Sequence, residues 1–327
     1  MSTPKPKSGS GETEDERGRN ASRPSQIPRR GWRDILLRVK EEQSKDNLSM
    51  IAAGVAYYWF FAVFPALAAA VSIYGLAADP QELQHHVDSI SGVMPKEAYE
   101  ILRDQLTAIV QHSGGALSLG MIAGILLTLW SANKGMQALM TALNIVYDEE
   151  EKRGFIRLNL ISLLLTFCAI VLGLIAIAFV IAVPALMGIL NLPGAIQAMF
   201  TYLRWPLLGV FLIFALAVAY RFCPDRDSPK WRWVSWGSVS ATLLWLSGSA
   251  LFSVYVTNFG SYSKTYGSMG AVIILLLWFY LTSYIILLGG ELNAEMEHQT
   301  RKDSTTGGPK PMGRRDAYVA DTSGESR

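Results

Sequence analysis

The sequence predicts an all-α fold, a polytopic bundle of six transmembrane helices with both termini in the cytoplasm. Three observations predict it: long stretches carry no charge, those stretches have the length of a bilayer-crossing helix, and basic residues favour alternate connecting segments. Asp, Glu, Lys and Arg are all missing from residues 47–78, 158–203, 233–263 and 265–290. A hydrocarbon core about 30 Å thick takes roughly 20 apolar residues in a helix. Each gap therefore holds a span, and 158–203 also holds a turn and the approach to the next one. Composition says less, because 50% hydrophobic residues is close to what soluble chains carry.

Taken in order, residues 1–30 are rich in Ser, Pro, Gly and charge and cannot bury enough apolar surface to fold alone, which predicts a disordered cytoplasmic tail. No cleavable signal peptide is visible there, so the first span is expected to act as an uncleaved insertion signal. The membrane domain is expected over 31–298. It begins with a short amphipathic helix over 31–45, where Trp32, Ile35, Leu36 and Val39 recur at helical spacing among Arg33, Arg38 and Lys40. Such a helix either lies in the headgroup region or packs on the protein. Spans follow at 51–76, 116–133, 160–186, 205–220, 234–256 and 269–288, the fourth short enough to need residues before it. The loop 79–115, with apolar positions such as Leu83, Val87, Leu102 and Leu106 at helical spacing, is expected to be extracytoplasmic and to hold two short helices. After the second span, Met136, Leu139, Met140, Leu143 and Tyr147 repeat at helical spacing, either as an interfacial helix or as a continuation of the span. Residues 299–327 are polar and are expected to form a second disordered tail.

Orientation comes from Lys and Arg in the connecting segments. The N-terminal region, 133–157, 221–233 and the C-terminal tail hold nearly all of them, whereas the segments expected outside hold only Lys96, Arg103, Arg204 and Lys264. This places both termini on the cytoplasmic side. Trp59, Trp130, Trp205, Trp233 and Trp236 suit an interfacial belt, and Trp245 and Trp278 look more central.

Motifs of soluble enzymes are missing: there is no P-loop, HExxH, GxSxG or CxxC. His85, His86, His112 and His298 are too separated to form a ligand set, and Cys168 and Cys223 lack metal-ligand spacing and read as packing thiols. No cofactor or metal is expected. The basic clusters lie just inside the expected spans, so topology and anionic lipid explain them better than nucleic acid does.

Polar groups beside the spans are the candidate site, because ionisable groups in a bilayer are costly and usually paired. Lys134 and Glu291 end the second and sixth spans on the same side, flanked by Asn133 and Asn293. A Lys134–Glu291 network is one reading, and two separate snorkelling charges are the other. In the first span, Ala52, Ala53, Gly54 and Ala56 precede or border Tyr57, Tyr58 and Trp59, with Pro65 following. Small residues permit close helix approach, and a proline frees a backbone carbonyl. Tyr57, Tyr58, Pro65, Asn133, Lys134, Glu291 and Asn293 are thus the candidates for a pathway or a structural polar network.

Three stretches together carry a resemblance. They are Asp46-Asn47-Leu48-Ser49-Met50-Ile51-Ala52-Ala53-Gly54-Val55-Ala56-Tyr57-Tyr58 leading to Phe64-Pro65, then Leu129-Trp130-Ser131-Ala132-Asn133-Lys134-Gly135 leading to Leu143-Asn144-Ile145-Val146-Tyr147, and Tyr266-Gly267-Ser268-Met269-Gly270-Ala271 leading to Gly289-Gly290-Glu291-Leu292-Asn293-Ala294. The chain resembles the YihY/BrkB family of bacterial inner-membrane proteins over about 32–297. The resemblance implies a six-helix membrane protein. Its members have carried ribonuclease BN and virulence-factor labels. The nuclease label finds no support in the residues, since phosphodiester hydrolysis calls for metal-holding carboxylates or a His acid–base pair open to water.

Six spans, small residues, prolines and polar groups at one depth suit a transporter or permease for a lipid-like or amphipathic solute or an ion. The reading from another class is a non-transporting scaffold or envelope-integrity factor whose loops and tails are its working surfaces. Membrane lipids are the expected partners and nucleic acid is not. The solute and any oligomer stay open.

Overall fold

A computed structural model describes residues 16–77, 119–190, 194–259 and 268–325. The regular elements among those residues are helices, with no strand among them beyond an isolated bridge between Pro229 and Thr305. Helix α1 spans Arg29–Lys45. Six long helices follow: α2 over Leu48–Ala77, α3 over Leu119–Val146, α4 over Phe155–Leu190, α5 over Gly194–Phe222, α6 over Trp231–Phe259 and α7 over Ser268–Gln299. A single turn, α8, closes the described chain at Tyr318–Asp321.

The six long helices fall on the six apolar stretches of the sequence, and three contain segments long and apolar enough to cross a membrane: Phe155–Ala176, Trp231–Val256 and Val272–Gln299. Shorter apolar stretches, Leu48–Val63 and Pro206–Phe222, lie in α2 and α5. Of the two sequence readings after the second span, continuation is the observed one, since α3 runs unbroken to Val146. Helix α5 starts before Pro206 and carries that proline inside it, as α2 carries Pro65. The expected outer loop at 79–115, with His85, His86 and His112, lies outside the described residues.

The chain divides into two compact units. The first takes the residues up to 51, 139–246 and those from 284 on, and the second takes 52–138 and 247–283. In the first unit, α4 packs along α5, and α1 turns into α2 at Asn47. Its φ of 53° lies in the left-handed region, which Asn enters more readily than most residues do. Helix α1 buries Gly31, Asp34, Ile35, Arg38 and Val39. Its Ile35 and Val39 pack with Ala21, Ile27, Trp233 and Met296 in one apolar cluster. The amphipathic reading holds for Ile35 and Val39 but not for Leu36, which is 58% exposed while Arg38 is buried.

Both terminal segments, expected as tails, hold buried residues where they are described. Ala21 and Ile27 before α1, and Ala317, Val319 and Ala320 near the C-terminus, are buried. The physical reason is mutual pairing, which neither tail offers alone. Arg301 donates its backbone N–H to the Arg19 carbonyl at 2.8 Å, and Thr300 Oγ1 donates to the Ala21 carbonyl at 2.6 Å. Arg19 donates to Ser323 Oγ at 2.9 Å and to the Gly324 carbonyl.

Candidate functional site

The last turns of α7 organise the first unit. They read Gly289-Gly290-Glu291-Leu292-Asn293-Ala294-Glu295-Met296-Glu297-His298-Gln299. Gly289 and Gly237 let α7 and α6 approach backbone to backbone: a Cβ on Gly237 would collide with the Gly289 carbonyl and the Asn293 amide. Asn293 then fastens the two helices, accepting the Gly237 N–H at 2.8 Å and donating to the Val234 carbonyl at 3.4 Å. Tyr220 of α5 closes the same crossing by donating its hydroxyl to the Ile286 carbonyl at 2.7 Å. Gly54, by contrast, borders open space, so the closest packing the small residues provide here is at Gly237 and Gly289 rather than at Gly54.

Below this crossing lies a platform of buried ion pairs. Glu295 pairs with Arg38, whose guanidinium also reaches Gln299 Oε1 at 2.8 Å. Glu297 receives two hydrogen bonds from Arg226 Nη2, at 2.8 and 2.7 Å, and both side chains are 0% exposed. Ser304 Oγ adds a further donor to Glu297 at 2.7 Å. The Arg226 guanidinium lies 4.7 Å from the centre of the Tyr147 ring. The segment between α3 and α4 joins through Arg153, which pairs with Glu151 at 2.6 Å and donates to the Cys223 carbonyl at 2.9 Å. Asn144 accepts the Asp225 N–H at 2.7 Å and donates to Glu151 at 3.0 Å. Asp34 of α1 is held by Arg17 at 2.8 Å. The N-terminal segment, the α3–α4 connection, the α5–α6 connection and the C-terminal segment are all tied into this platform. Burial pushes the Cys223 thiol up to about 12, so it is inert at neutral pH.

Glu291 stands at the rim of the platform and differs from its neighbours. It is 1% exposed, its Oε1 has no hydrogen-bond partner, and its carboxyl meets the side chain of Asp46 at the α1–α2 turn. Burial, then the charges of Asp148 and Glu42, raise the Asp46 carboxyl to about 6.

The second unit holds the other candidates. Tyr57 is 55% exposed and Tyr58 is exposed as well. Their rings meet each other and Phe61, at 5.5 and 4.7 Å between centroids, so they form an outward aromatic patch. Pro65 stays within α2, and its carbonyl accepts from Thr128 Oγ1 at 2.6 Å. Trp59 donates to the Gly135 carbonyl at 3.3 Å. Asn133 is buried at 7% exposure, and its Oδ1 has no partner. Lys134 donates to Gln137 Oε1 at 3.1 Å and lies 6.0 Å from the Trp130 ring centre. Lys134 and Glu291 thus belong to different units and each has its own neighbours.

Sequence reading missed Arg38, Tyr220, Arg226, Gly237 and Glu297. Some signal was present, since Arg38 shares the helical face of Ile35 and Glu295 follows Glu291 by one turn. Nothing in the sequence said which guanidinium meets which carboxylate. No group of His, Cys, Asp and Glu among the described residues has the arrangement to hold a metal ion.

The family described as virulence factor BrkB matches residues 39–313, which takes in the whole of the α7 terminus and most of the platform. The chain is 33% identical over 281 residues to the ribonuclease-like protein YfkH of Bacillus subtilis, covering 81% of this chain and 93% of that one. It is 27% identical over 270 residues to a UPF0761 membrane protein of Photobacterium profundum, with 81% of each chain covered. A UPF0761 membrane protein of Idiomarina loihiensis is 25% identical over 264 residues, covering 78% of this chain and 87% of the relative. No solved structure matches the chain.

Proposed function

The chain belongs to the virulence factor BrkB family of membrane proteins, and from that premise we propose that it is an inner-membrane transporter or permease for a lipid-like or amphipathic solute or an ion. The observation that carries this reading is Asn133, a buried amide in a long helix whose Oδ1 meets no protein donor. Buried polar groups are normally satisfied, and a polar atom without a protein partner in a membrane helix bundle calls for water or a solute. The Thr128–Pro65 hydrogen bond in the same unit adds a polar link at a proline inside a helix. Six spans with both termini in the cytoplasm suit the reading. Six long helices separate the connections, and the four basic-rich segments all belong to one polar platform.

The test is a sealed-vesicle flux assay. Purified protein in proteoliposomes is expected to move a fluorescent lysophospholipid across the bilayer faster than empty vesicles do. Rates equal to those of empty vesicles for amphipathic and ionic probes would overturn the proposal.

A second reading is favoured by one observation. The platform ties the two terminal segments together through contacts such as Arg19 with Ser323 and Thr300 with the Ala21 carbonyl, which is more construction than a permeation path requires. A membrane scaffold with the platform as its working surface would use it. Ribonuclease chemistry fits less well, because these carboxylates are engaged by guanidinium groups rather than held open for a metal or water.

A further inference from the structure

We propose that Asp46 and Glu291 form a carboxyl pair that binds one proton in the folded protein, a proton site at the junction of the α1–α2 turn with α7. The inference goes beyond the transport reading and stands without it. Every other carboxylate of α7's last turns has a named cation or a full set of donors. Glu295 has Arg38 and His298, and Glu297 has Arg226 and Ser304. Glu291 has neither, although it is 1% exposed.

The charged groups that face it are acidic, and Tyr147 faces it from the end of α3. Asp46 and Glu42 act from α1 and the turn that ends it, and Glu295 acts from α7 itself. Asp46 in turn is faced by Asp148 of the α3–α4 connection, by Glu42, by Lys45 and by Glu291. Asp148 is faced by Lys45, Glu42, His298 and Glu295. The cations nearby are already committed: Lys45 binds Glu42 at 2.8 Å, and Arg38 binds Glu295 and Gln299.

An ionised carboxylate in a buried site without a cation is expensive, and such a group neutralises by taking a proton. Two carboxyls in contact cannot both ionise cheaply and titrate as a pair. One proton between them turns one carboxyl into a donor and satisfies the contact. The Glu291 Oε1 that meets no protein donor is the independent sign that this carboxyl is built for something other than an ion pair. Backbone geometry holds the pair in place. Asn47 and Asp148 both take left-handed φ values of 53°, fixing the two turns that bring Asp46 and Asp148 to α7. Gly290 sits against Val146 and Leu143, which seats the Glu291 turn close to the end of α3.

The experiment is infrared difference spectroscopy of the full chain in lipid vesicles, titrated from acidic to alkaline pH. Wild type is expected to show the C=O stretch of a protonated carboxylic acid that persists at neutral pH. Glu291→Gln, which copies the shape of the protonated side chain, is expected to fold and to lose that band. Absence of the band in wild type at neutral pH would overturn the proposal, and so would a band that survives in folded Glu291→Gln. If that variant fails to fold, wild type alone decides through the same band. A thermal stabilisation by sodium or potassium ions that Glu291→Gln abolishes would also overturn it, assigning the pair to a metal ion.

Discussion

Replacing Glu297 by Gln keeps the side chain's shape and removes its charge, leaving the Arg226 guanidinium fully buried without a counter-ion. Breaking one side of a buried pair typically costs about 3–5 kcal/mol, because the remaining charge stays desolvated. Two features place this case near the lower end. The Gln oxygen still accepts a hydrogen bond, and the Tyr147 ring 4.7 Å from the guanidinium offers a cation–π contact that itself contributes about 0.5–2 kcal/mol. A loss of about 3 kcal/mol is expected for Glu297→Gln, and a similar or larger loss for Arg226→Met, which strands the carboxylate with only Ser304 as donor. The double variant Arg226→Met/Glu297→Leu removes both charges and is expected to cost less than the sum. The assay is unfolding in mixed micelles titrated with a denaturing detergent, followed by tryptophan fluorescence. Strictly additive losses would refute the pairing argument and, with it, the platform as a coupled network.

Further outcomes follow from the same structure. Gly237→Ala is expected to destabilise by about 1–3 kcal/mol through overpacking, because its Cβ would meet the Gly289 carbonyl and the Asn293 amide, while Gly54→Ala, which meets nothing, is expected to be neutral in thermal-shift measurements. Arg19→Ala is expected to lower the melting temperature by freeing the segment around Ser323 and Gly324; no change would mean that the terminal segments do not stabilise the fold. For Asp46, the folded carboxyl is raised to about 6. Its favourable contribution to stability is therefore full below its unfolded value and is lost as pH rises through about 6. Asp46→Asn is expected to flatten that part of the stability–pH curve, and an unchanged slope would refute the assignment. Cysteines placed at Asn20 and Gly308 are expected to resist an impermeant thiol reagent in intact cells while one at Ser113 reacts; labelling at Asn20 would reverse the orientation.

Much of the helical architecture was legible in the sequence because long charge-free stretches have only one economical backbone solution in hydrocarbon. Helices α2 to α7 lie where those stretches lie, and the uncertainty concerned their ends. Helix α7 runs on past the apolar stretch through Glu295 and Glu297 because guanidinium and hydroxyl partners stabilise those side chains. The partners are remote in sequence, so periodicity says nothing of them. The same reason explains the two terminal segments. Arg19 and Thr300 read as solvated polar residues until the opposite segment supplies the carbonyl. Of the candidate residues, Glu291, Asn293 and Asn133 were picked as polar groups beside spans and are buried, whereas Tyr57 and Tyr58 are exposed. An aromatic at helical spacing does not reveal which side of a helix faces its neighbours when both sides are apolar.

The most direct measurement of the transport claim is the flux assay repeated with Asn133→Leu, reconstituted at the same protein-to-lipid ratio as wild type and checked for equal folding. Leucine fills a similar volume and removes the Oδ1 that meets no protein donor. Wild type is expected to move the fluorescent lysophospholipid, and the folded variant is expected to lose most of that activity. Equal flux from the two proteins would contradict a pathway at Asn133, and no flux above empty vesicles from wild type would contradict transport itself.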